Sequence, residues 1–102
     1  MIVTGDQVFL VGIIVQEVLQ GIVDPADFER VSRDLEAFEL LPLERSDYLE
    51  AAQLYRRCRA AGISPGTIDC LLAIAAQRHD CYLLTSDADF AGIACHCDLR
   101  LL

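Results

Sequence analysis

The stretch TIDCLLAIAAQRHDCYLLTSDADF, residues 67–90, carries most of the architectural information in the chain. Its first half is apolar nearly all round at helical spacing: Ile68, Leu71, Leu72, Ala73, Ile74, Ala75 and Ala76 leave no continuous polar face. A helix from Thr67 to about Arg78 with that character is expected to be central and buried. Tyr82 to Thr85 then reads as a short apolar strand, and Ala88 to Ile93 as a helical turn or two. A buried helix that returns directly into an apolar strand is the building unit of an α/β domain.

The flanking segments extend that reading. Upstream, Ser64-Pro65-Gly66 is a loop, preceded by an amphipathic helix that Ser46 would cap and Gly62 would end. Its inner face is expected to be Tyr48, Ala51, Ala52, Tyr55 and Cys58. Glu39 to Leu43 reads as a strand closed by Pro42. Asp24 can cap a helix with Pro25 at its first position, running to about Phe38. Before it, Gln7 to Val11 reads as a strand rich in Val and Phe, followed by a helix from Gly12 to Gln20 with Ile14, Val18 and Gly21 on one stripe. Downstream, Leu99 to Leu102 is a final strand. Helices alternating with short apolar strands predict an α/β domain with a mostly parallel sheet. In such sheets ligands bind beyond the carboxyl ends of the strands.

The 102 residues suffice for one compact domain and not two. Hydrophobic residues make up 54% and charged residues 24%, which excludes a disordered chain. The longest apolar run, Val8 to Val15, is far short of the roughly 20 residues that cross a bilayer. No basic segment follows Met1, so no secretory leader is expected. The cations are eight arginines against 16 acids, a net charge of −8. That excludes a sequence-independent coat for nucleic acid and leaves only a local site for it. Five cysteines, an odd number with no export signal, point to a reducing cytoplasm. Cys95-His96-Cys97, with His79 and Cys81 upstream, departs from zinc-ligand spacing, so packing is the reading preferred for the thiols.

Most acids, such as Asp34, Glu36 and Glu50, fall where solvent is expected. Four do not. Glu17 shares the stripe of Ile14 and Val18. Asp69 lies in the first turn of the apolar helix. Asp87 and Asp89 directly follow the strand ending at Thr85. Each has a structural explanation taken singly: an edge residue for Glu17, the helix dipole for Asp69, a helix cap for Asp87. Were they to converge, each pair ~4 Å apart would repel by about 4 kcal/mol at an effective dielectric of 20. Such a cluster must hold protons or bind a cation. An all-oxygen set favours Mg²⁺ or Mn²⁺, ions that activate water and stabilise a phosphoryl oxyanion.

Three stretches, VGIIVQEVLQGI around Glu17, AAQLYRRCRAAGISPGTIDCLLAIAA around Asp69, and LLTSDADF with Asp87 and Asp89, resemble PIN-domain ribonucleases. Specifically, they are similar in order and spacing to the VapC-type toxins of toxin–antitoxin pairs. The resemblance implies a three-layer α/β/α fold over residues 1–102 and an endoribonuclease acting on RNA of the tRNA or rRNA class. It implies Mg²⁺ or Mn²⁺ held by Glu17, Asp69 and Asp87, with Asp89 assisting and Thr85 orienting the cluster. It further implies a VapB-type antitoxin, a homodimer and a cytoplasmic location. Arg56, Arg57 and Arg59 would contact RNA or antitoxin, or else form the solvated back of their helix.

The chain also departs from the family, which begins with an apolar strand ending in an aspartate and a following helix. That module is missing. Met1 to Asp6 imitates it superficially, but Asp6 runs straight into the next strand and takes no metal role. The expected consequences are two exposed strand edges and an incomplete site. They leave three readings: a start placed too late, a degenerate fragment, or a strand supplied by a partner. An inactive PIN-like scaffold that only binds protein is therefore the alternative to an active nuclease, and a small zinc module is a third.

Overall fold

The computed structural model describes residues 1–102. The elements follow in the order β1 (Ile2–Thr4), β2 (Gln7–Val11), α1 (Gly12–Gln20), α2 (Pro25–Leu35), β3 (Glu39–Leu41), α3 (Arg45–Ala60), α4 (Thr67–Arg78), β4 (Tyr82–Leu83), α5 (Asp89–Ala94) and β5 (Arg100–Leu101). One sheet runs in the order β3-β2-β1-β4-β5. The α/β class is as expected. Four of the strands point one way: β3 is parallel to β2 and β5 is parallel to β4. Only β1, in the centre, is reversed, antiparallel to both β2 and β4.

No helix follows the first strand, as expected, but the two bare edges expected from the missing module are not seen, because the reversed strand lies between β2 and β4. Ile2–Thr4 fills the gap, with Ile2 opposite Phe9 on one side and Leu83 on the other. Its direction follows from chain length alone. Only Gly5 and Asp6 separate β1 from β2, and a two-residue link can close an antiparallel hairpin but never a parallel crossover. Gly5 sits at φ +56°, the positive-φ position for which such a turn selects glycine.

Local chemistry sets the helix boundaries. The Asp24 side chain accepts from the Ala26 amide at 2.8 Å, with Pro25 in the first turn, as the sequence predicts. That helix stops at Leu35, three residues earlier than expected. α3 begins at Arg45 rather than after Ser46. Its first turn is closed by Asp47, whose carboxylate accepts from the Glu44 amide at 2.7 Å. The inward face of α3 also differs from expectation: Asp47, Ala51, Leu54 and Cys58 are buried, while Tyr48 and Tyr55 stand exposed. The true stripe is rotated because Leu54 and Cys58 interlock with Cys70, Ala73 and Ile74 of α4 in the core. α4 spans the twelve residues expected of it. Its small side chains Ala73, Ala75 and Ala76 are buried against the sheet and α3.

One buried ion pair ties these two helices. Asp47 is 1% exposed and accepts from Arg78, at the far end of α4, at 2.5 Å; Arg78 also reaches Glu44 at 3.1 Å. Replacing Asp47 by Ala leaves Arg78 with Glu44 alone and removes the acceptor of the Glu44 amide that closes the first turn of α3. A loss of about 2–3 kcal/mol is expected, below the ~3–5 kcal/mol of a wholly buried pair because Arg78 keeps solvent contact. Urea unfolding of Asp47→Ala beside the parent measures it, and a loss under ~0.5 kcal/mol contradicts the assignment.

Candidate active site

Because β2 and β4 are both antiparallel to β1, their carboxyl ends open at the same end of the sheet. α1 leaves from that end directly after β2. α4 joins β4 through the short His79–Cys81 turn, so its amino end lies there too. Three local segments thus carry the four predicted carboxylates to one place: Glu17 on α1, Asp69 in the first turn of α4, Asp87 and Asp89 after β4. Asp6 lies beyond the opposite end of β1, away from them.

Asp69 is the half-buried member. Burial raises its carboxyl pKa, and the charges of Asp87, Asp89 and Glu17 raise it further. The amino end of α4 acts the other way and favours the anion. Asp87 and Asp89 are held by their backbone. The Thr85 hydroxyl accepts from the Asp87 amide at 3.0 Å, and the Asp87 carboxylate accepts from the Asp89 amide at 2.9 Å. These two bonds fold the loop after β4.

The convergence is electrostatic and stops short of ligation. No three Asp, Glu, His or Cys side chains are gathered closely enough to hold one ion. Glu17, Asp87 and Asp89 are exposed, and like charges with no cation between them repel. Glu17 also departs from its expected setting: α1 has no buried residue, and Val18 on the same stripe is exposed, so this glutamate is not in an apolar environment. The donor chemistry still fits a hard divalent cation, since the side chains delivered to that end of the sheet are carboxylates.

The three arginines separate in their roles. Arg59 donates to the Ser64 hydroxyl at 2.8 Å, and Arg57 to the His96 carbonyl at 3.4 Å. Arg56 instead lines a groove of about 550 Å³ beside Thr67 and Ile68, the residues that precede Asp69. Among the cysteines, Cys58, Cys70 and Cys81 are buried, whereas Cys97 is half-buried and Cys95 exposed. Burial, with Cys58, Asp69 and Cys97 nearby, pushes the Cys70 thiol up to about 11.

Gly66 belongs to the site although sequence reading passes over it. A Cβ at this position would lie 2.8 Å from Asp69 Oδ2 and 3.3 Å from its Cγ. The Asp69 carboxylate thus folds back over the Gly66 backbone. A glycine three residues before a helix aspartate was the available signal, but the Ser64-Pro65-Gly66 loop already accounted for it as a turn.

Residues 2–94 match the PIN-domain family. The chain is 35% identical over 83 residues to VapC ribonuclease Mb1587 of Mycobacterium bovis and, to the same extent, to ribonuclease VapC11 of two Mycobacterium tuberculosis strains. The alignment covers 79% of this chain and 62% of each relative, so the chain matches about three fifths of their length. No helix is long and apolar enough to cross a membrane.

Two outcomes follow from the geometry. Asp69 pays for its charge in the native state, so Asp69→Asn in chelator is expected to melt higher than the parent at neutral pH. Below the usual aspartate range both folded and unfolded carboxyls are protonated, and the difference should vanish. Equal melting temperatures at neutral pH would refute the burial and repulsion assigned to Asp69. Gly66→Ala meets only the tip of a side chain, so its melting temperature is expected to stay near the parent's. Calorimetry should nonetheless read Mn²⁺ binding weakened several-fold, because the carboxylate must move.

Proposed function

The chain belongs to the PIN-domain family, and from that premise we propose that it is a divalent-metal-dependent endoribonuclease of VapC type. The observation that carries this reading is the delivery of Glu17, Asp69, Asp87 and Asp89 to one end of the sheet, where three of them act on the fourth. Glu17, Asp69 and Asp87 would hold Mg²⁺ or Mn²⁺, with Asp89 beside them. The ion, when bound, supplies positive charge against the charge that develops on a phosphodiester, and acidifies water.

The rest is the work of the chain's own residues. Asp69, held by α4, would be the fixed donor; Glu17, Asp87 and Asp89 are on the surface and would turn toward it when a cation is bound. Thr85 keeps the Asp87 amide engaged and so fixes where that carboxylate starts. Arg56 supplies a local cation in a chain of net charge −8. RNA of the tRNA or rRNA class is the proposed substrate. A VapB-type antitoxin, whose cationic groups would suit an acidic site, is the proposed regulator. A homodimer and a cytoplasmic location complete the proposal.

One observation favours a second reading. The carboxylates as they stand do not gather three donors, and the central strand brings no aspartate to them. On that basis the chain would be a PIN-like scaffold that binds protein without cleaving RNA. Incubating total RNA with the 102-residue protein and Mn²⁺, beside Asp69→Asn, separates the two. The nuclease reading expects fragments from the parent and at least a ~100-fold lower rate from the variant, the scale of losing a group that stabilises transition-state charge. Intact RNA in both, together with no Mn²⁺ binding by calorimetry, would leave the scaffold reading.

A further inference from the structure

The two faces of the sheet are covered unevenly. Right-handed crossovers that move in opposite lateral directions put their helices on opposite faces. β2 to β3 moves one way, through α1 and α2; β3 to β4 and β4 to β5 move the other way, through α3, α4 and α5. The α3–α5 side holds the core, where Ile2, Val11, Leu41 and Leu83 are buried. On the α1–α2 side the crossover spans only β2 and β3, where Leu10 is buried with Ile14 of α1 beside it. β1 reaches β2 through the Gly5-Asp6 turn and brings no helix, so β1, β4 and β5 have none on that side.

Alternation along the strands sends Met1, Val3, Tyr82, Leu84 and Leu102 to this uncovered half. Val3 is half-buried and the others are exposed, Leu84 by 44% and Leu102 by 66%. The strip carries no acidic side chain. It ends at the open edge of β5, where Leu101 is exposed as well.

We propose that a second copy of this chain closes the strip, the two strips packing face to face about a twofold axis that runs along β4. The proposal rests on the homodimer of the reading above and gives it a surface. Shape selects this occupant. A helical layer and a facing sheet each stand about 10 Å from a sheet, so the α1–α2 layer forms a step as high as a partner sheet is distant. Rotation about β4 brings the step of each copy beside the β5 edge of the other. One symmetric contact then covers both the bare face and the open edge. A single helix from another protein would cover the face and leave the edge. A bilayer is flat and does not reach a strip recessed beside a helical layer. Nucleic acid needs free cations, and Arg100, the one cationic side chain on the strip, is engaged by Asp80 at 2.6 Å and by the Tyr82 ring. In a chain of net charge −8, an acid-free strip is also where two copies meet with least repulsion.

Sedimentation equilibrium of the 102-residue protein tests this. The parent is expected to be dimeric at about 100 µM, within reach of a small apolar contact. Leu84→Glu and Leu102→Glu should each raise Kd at least about 100-fold, since each puts a carboxylate into that contact. The axis makes Leu84 face its own counterpart. Mixing Leu84→Glu with Leu84→Lys protein should therefore restore a one-to-one dimer that neither forms alone. Tyr48→Glu, in the groove between α1, α3 and α4, should leave Kd near the parent's. Circular dichroism identifies any loss that comes from unfolding.

A dimer that persists in both glutamate variants, or that only Tyr48→Glu dissolves, would overturn the proposal and leave the homodimer standing through another surface. Folded Leu84→Glu and Leu84→Lys proteins that fail to pair would overturn the axis along β4. A parent that stays monomeric throughout would overturn the homodimer as well and leave the strip to another polypeptide, while the ribonuclease reading is decided separately by the cleavage assay.

Discussion

The two-residue link Gly5-Asp6 constrains everything else in the sheet. A link of that length reverses the chain, so β1 is antiparallel to β2 whatever the remaining residues prefer. β4 then completes the other side of β1 and runs the same way as β2. The shared direction of β2 and β4 puts their carboxyl ends together, and the carboxylates follow them there. A central strand of only three residues therefore sets the direction of its neighbours without contributing an acidic side chain to the site.

The second determinant is the seam between α3 and α4. The Asp47–Arg78 pair closes one end of it, and Leu54, Cys58, Cys70, Ala73 and Ile74 fill the middle. Asp69 sits at the other end of α4, so its position is inherited from a helix anchored along its whole length. The same seam turns Tyr48 and Tyr55 outward. Stability and the shape of the surface groove are consequently two faces of one packing arrangement.

How much of this was legible in the sequence depended on how local its cause was. α4 was readable to the residue, because twelve positions with no polar face admit one placement and glycine precedes them. α2's cap was readable because Asp24-Pro25 acts within its own turn. The inner face of α3 was not, since both a tyrosine stripe and a Leu54 stripe satisfy helical spacing, and only the partner helix chooses between them. The central place of Ile2–Thr4 was likewise invisible: its second neighbour is encoded some eighty residues away. For the site, residue types and order were legible. Distances were not, because they depend on rotamers of exposed side chains. Gly66 was passed over because its contact is with a side chain three residues on, which composition does not reveal.

The pairing of Ile2 with Leu83 also sets a kinetic order for the chain. Met1 and Leu84, 83 residues apart, exchange backbone hydrogen bonds at 2.7 and 2.9 Å. Closing a loop of that size is slow relative to forming a hairpin or a helix turn. The β1–β2 hairpin and the first three helices rest on local contacts, yet the middle strand keeps one open flank until residues 82–83 pair with it. The centre of the sheet is therefore closed only when β4 pairs with β1, and the acidic end, to which Asp87 and Asp89 come directly after β4, assembles no earlier than that.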